Sequence, residues 1–450
     1  MASASTSELS HPVLFTTQTN YPLPTQKFMI PASWKRYQLS QLVNKALSLT
    51  KPVPFDFLVR GEILRTTLGE WCAEKEIGEE ETLEIEYIES VMPPQKMTSL
   101  PHEDWVSSIS CQETGYFFTA SYDSNLRVFD YSQKLLQSAP IHEGPITSLV
   151  VVPRPSDSGT ETRLVATASH DLSARLTQVN LSPDGANAEP AQTLASLHLH
   201  TAPLTSISAS RSGSHLLTAS HDGIIGFWDT LIPNKDEVPP EDGHSSGERK
   251  KRRKIAEGEK PKRKAPLVVL KSHSGRISKA VFVGEDSREA ISAGFDSTVR
   301  SWDTENGLCT RTIPASSKPF LDIAVMPSGN SVLAASTDRT VTQYDLRSAD
   351  SASLTATVAS VSHSATPSCI AVSSSQTSAT SEHQFITGAY DGTVRLWDLR
   401  SVKSTVASFK VWEGKKKILS VDWNAGIVGI GGEGGVEVWK MNEGDRTSAS

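Results

Sequence analysis

Short runs of alternating apolar and polar residues, separated by turn residues, cover most of this chain and predict β-strands. The clearest unit is AYDGTVRLWDLR at 389–400, where a turn at Asp391-Gly392 precedes a strand containing Val394, Leu396 and Trp397. The same pattern recurs at 121, 220, 294 and 336, and more weakly at 169 and 432. Its turn residues lie 42–53 positions apart, except for one interval of 74. Seven copies of one turn-and-strand unit predict a seven-bladed β-propeller.

The repeats resemble the WD40 family, down to the Trp-Asp pairs at 228–229, 302–303 and 397–398, over roughly residues 90–440. The last repeat has no fourth strand of its own. Residues near 90–98 precede the first opening strand, and we expect them to supply it. Closing the ring with strands from both ends of the chain would leave no exposed sheet edge there.

Residues 12–89 have a different pattern, which reads as strand, strand, helix, strand, strand, short helix and final strand. We expect Ser40 to cap the first helix and Thr67 to precede the second. This order is similar to ubiquitin, and the chain continues past Glu89 without a Gly-Gly ending, so the domain is built in. The expected fold is mainly β, a seven-bladed WD40 propeller preceded by a small α+β ubiquitin-like domain. The expected boundaries are a flexible N-terminus at 1–11, the ubiquitin-like domain at 12–89, the propeller at 90–440 with a disordered basic insertion at 231–265, and a flexible tail at 441–450.

Charge is concentrated in one segment of the chain. The net charge is −7, but residues 249–264 alone carry +8, which leaves −15 elsewhere. Two basic clusters within this segment predict a nuclear-import signal, with contact to RNA phosphates or a merely solvated loop as the alternatives. The clusters contain Arg249, Lys250, Lys251, Arg252, Arg253, Lys254, Lys262, Arg263 and Lys264. There is no apolar run of 18 residues and no close cysteine pair, so we expect neither a membrane span nor a metal site in this chain.

Three repeats contain a hydroxyl, a histidine and an aspartate that imitate a hydrolase triad. Repetition from blade to blade favours structural hydrogen-bond relays, because a catalytic triad needs one copy in a cleft with an oxyanion hole. We therefore expect no enzymatic activity and no cofactor. The relay residues are His200, Thr218, Asp222 and Trp228; His273, Ser292, Asp296 and Trp302; and His363, Thr387, Asp391 and Trp397.

The segment KPVPFDFLVRGEILRTTL and the junction HEDWVSSI resemble the Notchless-type ribosome-assembly proteins that partner pescadillo and the block-of-proliferation protein. This resemblance implies a non-enzymatic factor for large (60S) subunit assembly and pre-rRNA processing, located in the nucleus, nucleolus and nucleoplasm. It implies a heterotrimer with those two partners, attached to the pre-60S particle, and it leaves direct rRNA contact open. It also implies that the ubiquitin-like domain engages the AAA+ ATPase midasin through a Mg²⁺ in the ATPase's adhesion site. Glu80 best matches the family's carboxylate ligand, with Glu79 and Glu81 adjacent in register.

A second hypothesis comes from Trp397-Asp398-Leu399-Arg400, which fits the WDxR motif of cullin ubiquitin-ligase substrate receptors. The motif is weakly specific, since Trp-Asp already ends the repeat and Arg commonly follows it.

Overall fold

The computed structural model describes residues 9–19, 21–49, 51–78, 80–90, 93–154, 162–181, 190–239, 260–314, 318–347, 357–373 and 383–441. Over these residues the chain forms one mixed sheet with two α-helices, followed by seven sheets whose pairings are antiparallel except for one parallel pair in the second of them. The predicted fold class is confirmed.

The N-terminal domain is a five-stranded sheet in the order β2-β1-β5-β3-β4, with β1 parallel to β5 at its centre. Phe15, Phe57 and Tyr87 project from the sheet into a core shared with the first helix. The elements are β1 (Ser10–Thr16), β2 (Lys27–Pro31), α1 (Arg36–Ala46), β3 (Phe55–Val59), β4 (Glu62–Ile63), α2 (Leu68–Glu74) and β5 (Leu83–Glu89).

The structure agrees with the expected start of the second helix but not with that of the first. Thr67 precedes α2 as expected, and it also caps the helix, in a capping box where its hydroxyl accepts from Glu70 N at 3.1 Å. Ser40 instead lies inside α1, whose N-cap is Lys35, so that part of the interpretation was wrong. The Ser40 hydroxyl accepts a hydrogen bond from Phe55 N at 3.1 Å and thereby ties the helix to β3.

Each of the seven C-terminal sheets is one propeller blade of four strands, and blade 2 has a fifth. The opening strands of consecutive blades contact one another, and the last contacts the first, so the ring is closed. The strand preceding blade 1 is β6 (Gln95–Leu100). Blade 1 contains β7 (Val106–Ser110), β8 (Tyr116–Ser121), β9 (Asn125–Asp130) and β10 (Leu135–Pro140); blade 2 contains β11 (Ile146–Val151), β12 (Thr162–Ser169), β13 (Ser173–Asn180), β14 (Gln192–His198) and β18 (Lys262–Lys264); blade 3 contains β15 (Leu204–Ala209), β16 (His215–Ser220), β17 (Ile224–Asp229) and β19 (Val268–Lys271). Blade 4 contains β20 (Ile277–Val283), β21 (Glu289–Gly294), β22 (Thr298–Asp303) and β23 (Leu308–Pro314); blade 5 contains β24 (Phe320–Val325), β25 (Ser331–Ser336), β26 (Thr340–Asp345) and β27 (Thr357–Ser362); blade 6 contains β28 (Pro367–Val372), β29 (Gln384–Ala389), β30 (Thr393–Asp398) and β31 (Ala407–Lys410); blade 7 contains β32 (Ile418–Asn424), β33 (Ile427–Gly432) and β34 (Gly435–Lys440).

Blade 7 is completed from the other end of the propeller, as the sequence predicts. β6 pairs antiparallel with β34, with Leu100 opposite Val436 and Gln95 opposite Lys440. This pairing gives the last blade its outer strand, covers the edge of β34 and closes the ring through backbone hydrogen bonds.

Hydroxyl groups on the opening strands fasten neighbouring blades to each other. Each donates to the carbonyl at the start of the next blade's opening strand, which satisfies a backbone acceptor at the blade junction. These bonds run from Ser107 to Ile146 (2.6 Å), from Thr205 to Ile277 (2.8 Å), from Ser278 to Phe320 (2.6 Å) and from Ser368 to Ile418 (2.7 Å).

Two predicted boundaries differ from the structure. β1 already begins at Ser10, inside the segment expected to be flexible, because it pairs with Pro31 of β2. Met441 was assigned to the flexible tail but is 2% exposed and donates its amide to Gly426 O at 2.7 Å. Residues 442–450 of that tail lie outside the described residues.

Candidate functional site

Hydrogen bonds join the predicted relay residues in blades 3 and 4. In both blades the imidazole lies between the turn aspartate and a strand hydroxyl, so both ring nitrogens are occupied. The distances from Nδ1 to carboxylate and from Nε2 to hydroxyl are 3.1 and 2.8 Å for His200 with Asp222 and Thr218, and 2.7 and 2.6 Å for His273 with Asp296 and Ser292. An indole also donates to the strand hydroxyl in three blades, from Trp228 to Thr218 (2.9 Å), from Trp302 to Ser292 (2.8 Å) and from Trp397 to Thr387 (3.0 Å).

Blade 6 departs from this arrangement at its histidine. Neither ring nitrogen of His363 has a hydrogen-bond partner among the residues that the structure describes. The Asp391 Oδ2 atom is bound instead by Arg395 at 2.7 Å and by Ser364 at 3.1 Å. Burial, helped by the Arg395 charge, lowers the pKa of His363 to about 4. The predicted four-residue relay was therefore wrong for this member.

Sequence reasoning missed a relay in blade 2 and part of one in blade 1. His142 lies 2.8 Å from both the Asp171 carboxylate and the Thr167 hydroxyl. His102 lies 2.9 Å from the Thr119 hydroxyl, and its other nitrogen faces a backbone carbonyl. A usable signal was present, since each of these histidines stands four residues before an opening strand, as in blades 3, 4 and 6. The sequence interpretation looked for a tryptophan in each relay, and it therefore overlooked these two histidines.

An arginine four residues after the turn aspartate is a second feature that the sequence interpretation omitted. Its guanidinium approaches the same carboxylate and helps keep it ionised. The distances are 2.5 Å for Arg127 to Asp123, 3.7 Å for Arg175 to Asp171, 3.4 Å for Arg300 to Asp296 and 2.7 Å for Arg395 to Asp391.

The loop before β5 carries the predicted metal-ligand carboxylate. Gly78 O accepts from Glu81 N at 3.3 Å, which folds the loop into a turn. The Glu81 carboxylate forms an ion pair with Arg60, whereas the exposed Glu80 side chain has no hydrogen-bond or ion-pair partner among the described residues. Glu79 lies outside the described residues. Of the two described glutamates, only Glu80 presents an unengaged carboxylate.

The ubiquitin-like domain contacts blade 6 through Arg400. The guanidinium is 2.6 Å from Asp398 Oδ2 and 3.3 Å from Glu86 Oε1 of β5. The Arg400 side chain is 11% exposed and that of Asp398 is fully buried. Burial alone would lower the pKa of Arg400, but the two carboxylates, Asp398 above all, raise it. Gly61 also approaches here, because a Cβ at this position would lie 3.1 Å from Arg400 O.

Further polar contacts cross the same interface. Glu62 forms ion pairs with Lys403 of the propeller and, at 2.9 Å, with Lys75 of its own domain. Their hydrogen bonds, that of Lys403 first, lower the pKa of Glu62. Arg65 donates to Thr405 O at 2.6 Å. The ubiquitin-like domain is thus docked on the segment 400–405.

The second basic cluster forms a strand, although it was predicted to lie in a disordered insertion. β18 (Lys262–Lys264) pairs parallel with β14 as the fifth strand of blade 2. Lys264 is 2% exposed, and its ammonium binds the Asp229 carboxylate and the Leu231 carbonyl. The interpretation of disorder was wrong here because a buried ion pair and backbone pairing hold the segment. The first cluster, 249–254, lies outside the described residues.

Aromatic side chains surround the centre of the propeller face that carries the turn aspartates. Most occupy the position just before that aspartate. We call the set Trp105, Tyr122, His170, His221, Phe295 and Tyr390 the aromatic collar. Neighbouring ring centroids lie 6.0 Å apart for Trp105 and Tyr122, 6.5 Å for Tyr122 and His170, and 6.5 Å for His170 and His221. Arg276 stacks on Phe295 with its Cζ 3.4 Å from the ring centroid, and Lys417 Nζ lies 6.0 Å from that of Tyr390.

The described part of the chain contains neither a candidate metal site nor a candidate membrane-spanning helix. No group of three or more His, Cys, Asp or Glu side chains there could hold a metal ion. No helix within those residues is long and apolar enough to cross a membrane.

Comparison with known proteins matches both parts of the chain. A model of the NLE (NUC135) domain matches residues 12–72, and a model of the WD domain, G-beta repeat, matches residues 94–130, 191–229, 307–345 and 353–398. A protein of Laccaria bicolor named "Ribosome biogenesis protein YTM1" is 60% identical over 98% of this chain and 97% of its own length. Proteins with the same name from Coprinopsis cinerea and Saccharomyces cerevisiae are 54% and 33% identical, over 95% and 92% of this chain and 94% and 92% of theirs.

Proposed function

This chain belongs to the YTM1 family of ribosome biogenesis proteins, and we propose that it is a non-enzymatic assembly factor for the large (60S) subunit. The family supports a role in ribosome biogenesis, while the 60S particle, pre-rRNA processing and the named partners are our proposal. According to this proposal, the propeller binds a block-of-proliferation-type WD40 protein that also binds pescadillo, and the ubiquitin-like domain engages midasin.

The aromatic collar is the surface that we assign to the propeller partner. Exposed aromatic rings and arginine are the side chains most enriched at the energetic centres of protein interfaces. Trp105 and Tyr390 are each 42% exposed, and Arg276 stacks on Phe295 of the same collar. The relays below fix the turns that present these rings, because both nitrogens of His200 and His273 are engaged within their blades. This supports a structural role for the relays and a non-enzymatic protein.

The observation that carries the midasin proposal is the unengaged Glu80 carboxylate beside a docked interface. A Mg²⁺ held by the partner takes oxygen ligands, and an exposed carboxylate is a suitable one. Glu81 forms an ion pair with Arg60. Gly61, which follows Arg60 in the chain, approaches Arg400 O of the propeller. A force that midasin exerts on Glu80 would therefore act on blade 6 through these contacts.

The test is capture of midasin's adhesion domain by the full-length protein. Glu80→Ala and the neutral Glu80→Gln should both abolish capture, as should chelation of Mg²⁺. Glu84→Gln, an equally exposed carboxylate on β5, is the matched control and should bind normally. Full capture by Glu80→Ala would exclude this ligand, and loss only on changing Glu79 or Glu81 would move it by one residue.

Nuclear and nucleolar location is part of the same proposal. Because Lys264 is buried in blade 2, the basic residues 249–254 are the better candidate for importin binding. Replacing Arg249–Lys254 with alanine in a fluorescent fusion should reduce nuclear accumulation, while Lys262→Ala should not. Equal loss from both changes would support a two-cluster signal instead.

A further inference from the structure

A cavity of about 440 Å³ opens on the rim of the propeller between blades 6 and 7. None of its lining residues belongs to the aromatic collar. Its volume lies within the range of ligand pockets in proteins. Its walls come from β31 and the turn after it on one side, and from β6 and β34 on the other. The lining residues are Lys96, Lys410, Trp412, Glu413, Glu437 and Trp439.

The aromatic walls of this cavity are held in place by their surroundings. A Cβ at Gly434 would lie 2.5 Å from three atoms of the Trp412 indole, so one face of that ring packs flat against the glycine. Trp412 has a φ of 47°, in the left-handed region that a non-glycine residue rarely adopts. Trp439 packs against Phe409 with ring centroids 4.4 Å apart. Strained backbone that holds a side chain in one place is often associated with a binding site.

The charges around the cavity favour an anion. Glu437 is 4% exposed and already engaged, by Lys96 at 2.6 Å and by the Trp439 indole at 3.1 Å. Glu413 is paired with Lys415 at 2.6 Å. Of the two lining lysines, Lys96 is engaged by Glu437, whereas the exposed Lys410 has no ion-pair partner among the residues that the structure describes.

We propose that this cavity binds an unpaired nucleotide of single-stranded RNA. Proteins bind single strands by stacking bases on aromatic side chains while cationic groups follow the phosphates. Trp412 and Trp439 supply the rings, and Lys410 supplies the free cation. An acidic peptide would satisfy the lysine but would leave the indoles without a stacking partner, so the observations favour RNA. None of the lining residues belongs to the basic segment 249–264 or to the ubiquitin-like domain.

The experiment measures binding of a short fluorescent oligouridine to the full-length protein across a range of salt concentrations. Lys410→Gln should lower the slope of log affinity against log salt by about 0.7, the value for one phosphate contact on a single strand. Trp439→Leu should weaken binding about five- to a hundredfold without changing that slope, because stacking carries no counterion release. Trp412→Phe, which keeps an aromatic ring, should retain most of the binding.

Lys271→Gln is the matched control, since Lys271 ends the outer strand of blade 3 as Lys410 ends that of blade 6. All variants are also made with Arg249–Lys254 replaced by glutamine, which removes the background from the basic insertion. Equal binding by Lys410→Gln and Lys271→Gln would overturn the proposal. Displacement of the RNA by an oligoglutamate peptide at equal concentration would point to a protein partner and would also overturn it.

Discussion

The change Glu86→Gln should release the ubiquitin-like domain from blade 6 while leaving both folds intact. Glu86 is 3.3 Å from Arg400 and is the member of that cluster supplied by the other domain. The amide keeps the size of the side chain but removes its charge. Arg400 keeps its buried partner Asp398 at 2.6 Å, so no buried charge is left unpaired in the propeller.

The expected magnitude follows from the exposure of the two partners. A partly exposed ion pair contributes at most about 1 kcal/mol, and the Glu86 side chain is 26% exposed. The undocked population should therefore rise by up to about fivefold. Arg400→Met should cost far more, about 3–5 kcal/mol, because it leaves the fully buried Asp398 carboxylate without its cation.

Hydrogen exchange of the backbone amides in the segment 400–406 and in β4 measures this equilibrium. Protection there should fall by up to about fivefold in Glu86→Gln and should not change in Glu84→Gln, the neighbouring carboxylate on the same face of β5. Identical protection in Glu86→Gln and Glu84→Gln would show that the Arg400 contact does not hold the domains together, and the reasoning from distance and exposure would fail.

Two further predictions concern blade 6. The pKa of His363 is about 4 in the folded protein, below its unfolded value of about 6.5, so the unfolded chain binds the extra proton first as the pH falls. Between pH 6.5 and 4, the free energy of unfolding of the wild type should drop by up to about 3 kcal/mol. Urea denaturation should show a flatter pH profile for His363→Gln. The same profile in both proteins would contradict this role of His363. Asp391→Asn, which weakens the contacts to Arg395 and Ser364, should lower stability by about 1–3 kcal/mol with no specific turnover lost; a hydrolytic activity abolished in a folded Asp391→Asn protein would refute the non-enzymatic interpretation.

Repetition is what made the propeller predictable from sequence. Each repeat carries the same turn and strand. A weak copy, such as that at 432, can therefore be recognised from its spacing to the stronger copies. The closing strand β6 could also be predicted, because a ring with one strand missing has a single place for it. Interactions between distant segments were not predictable in this way. Glu86 and Arg400 stand 314 positions apart, and nothing in either local pattern links them.

The relays show the same limit within one blade. The triplet Ser-His-Ser precedes the opening strands of both blade 4 and blade 6, yet only His273 reaches its aspartate. The difference is geometric, because Arg395 lies 2.7 Å from its aspartate whereas Arg300 lies 3.4 Å from Asp296. Residue identity predicts which groups compete for a carboxylate, but packing decides which of them binds.

The same reasoning decides how Trp397-Asp398-Leu399-Arg400 should be interpreted. A ligase adaptor that recognises WDxR needs the arginine, and here its guanidinium is bound by Asp398 and Glu86 and is 11% exposed. Docking of the ubiquitin-like domain and recognition by such an adaptor therefore compete for one side chain. If the ligase hypothesis held, Glu86→Gln would free Arg400 and strengthen adaptor binding in an affinity purification. We expect no adaptor with either wild type or Glu86→Gln, and recovery that rises in the variant would overturn our interpretation of Arg400 as a docking residue.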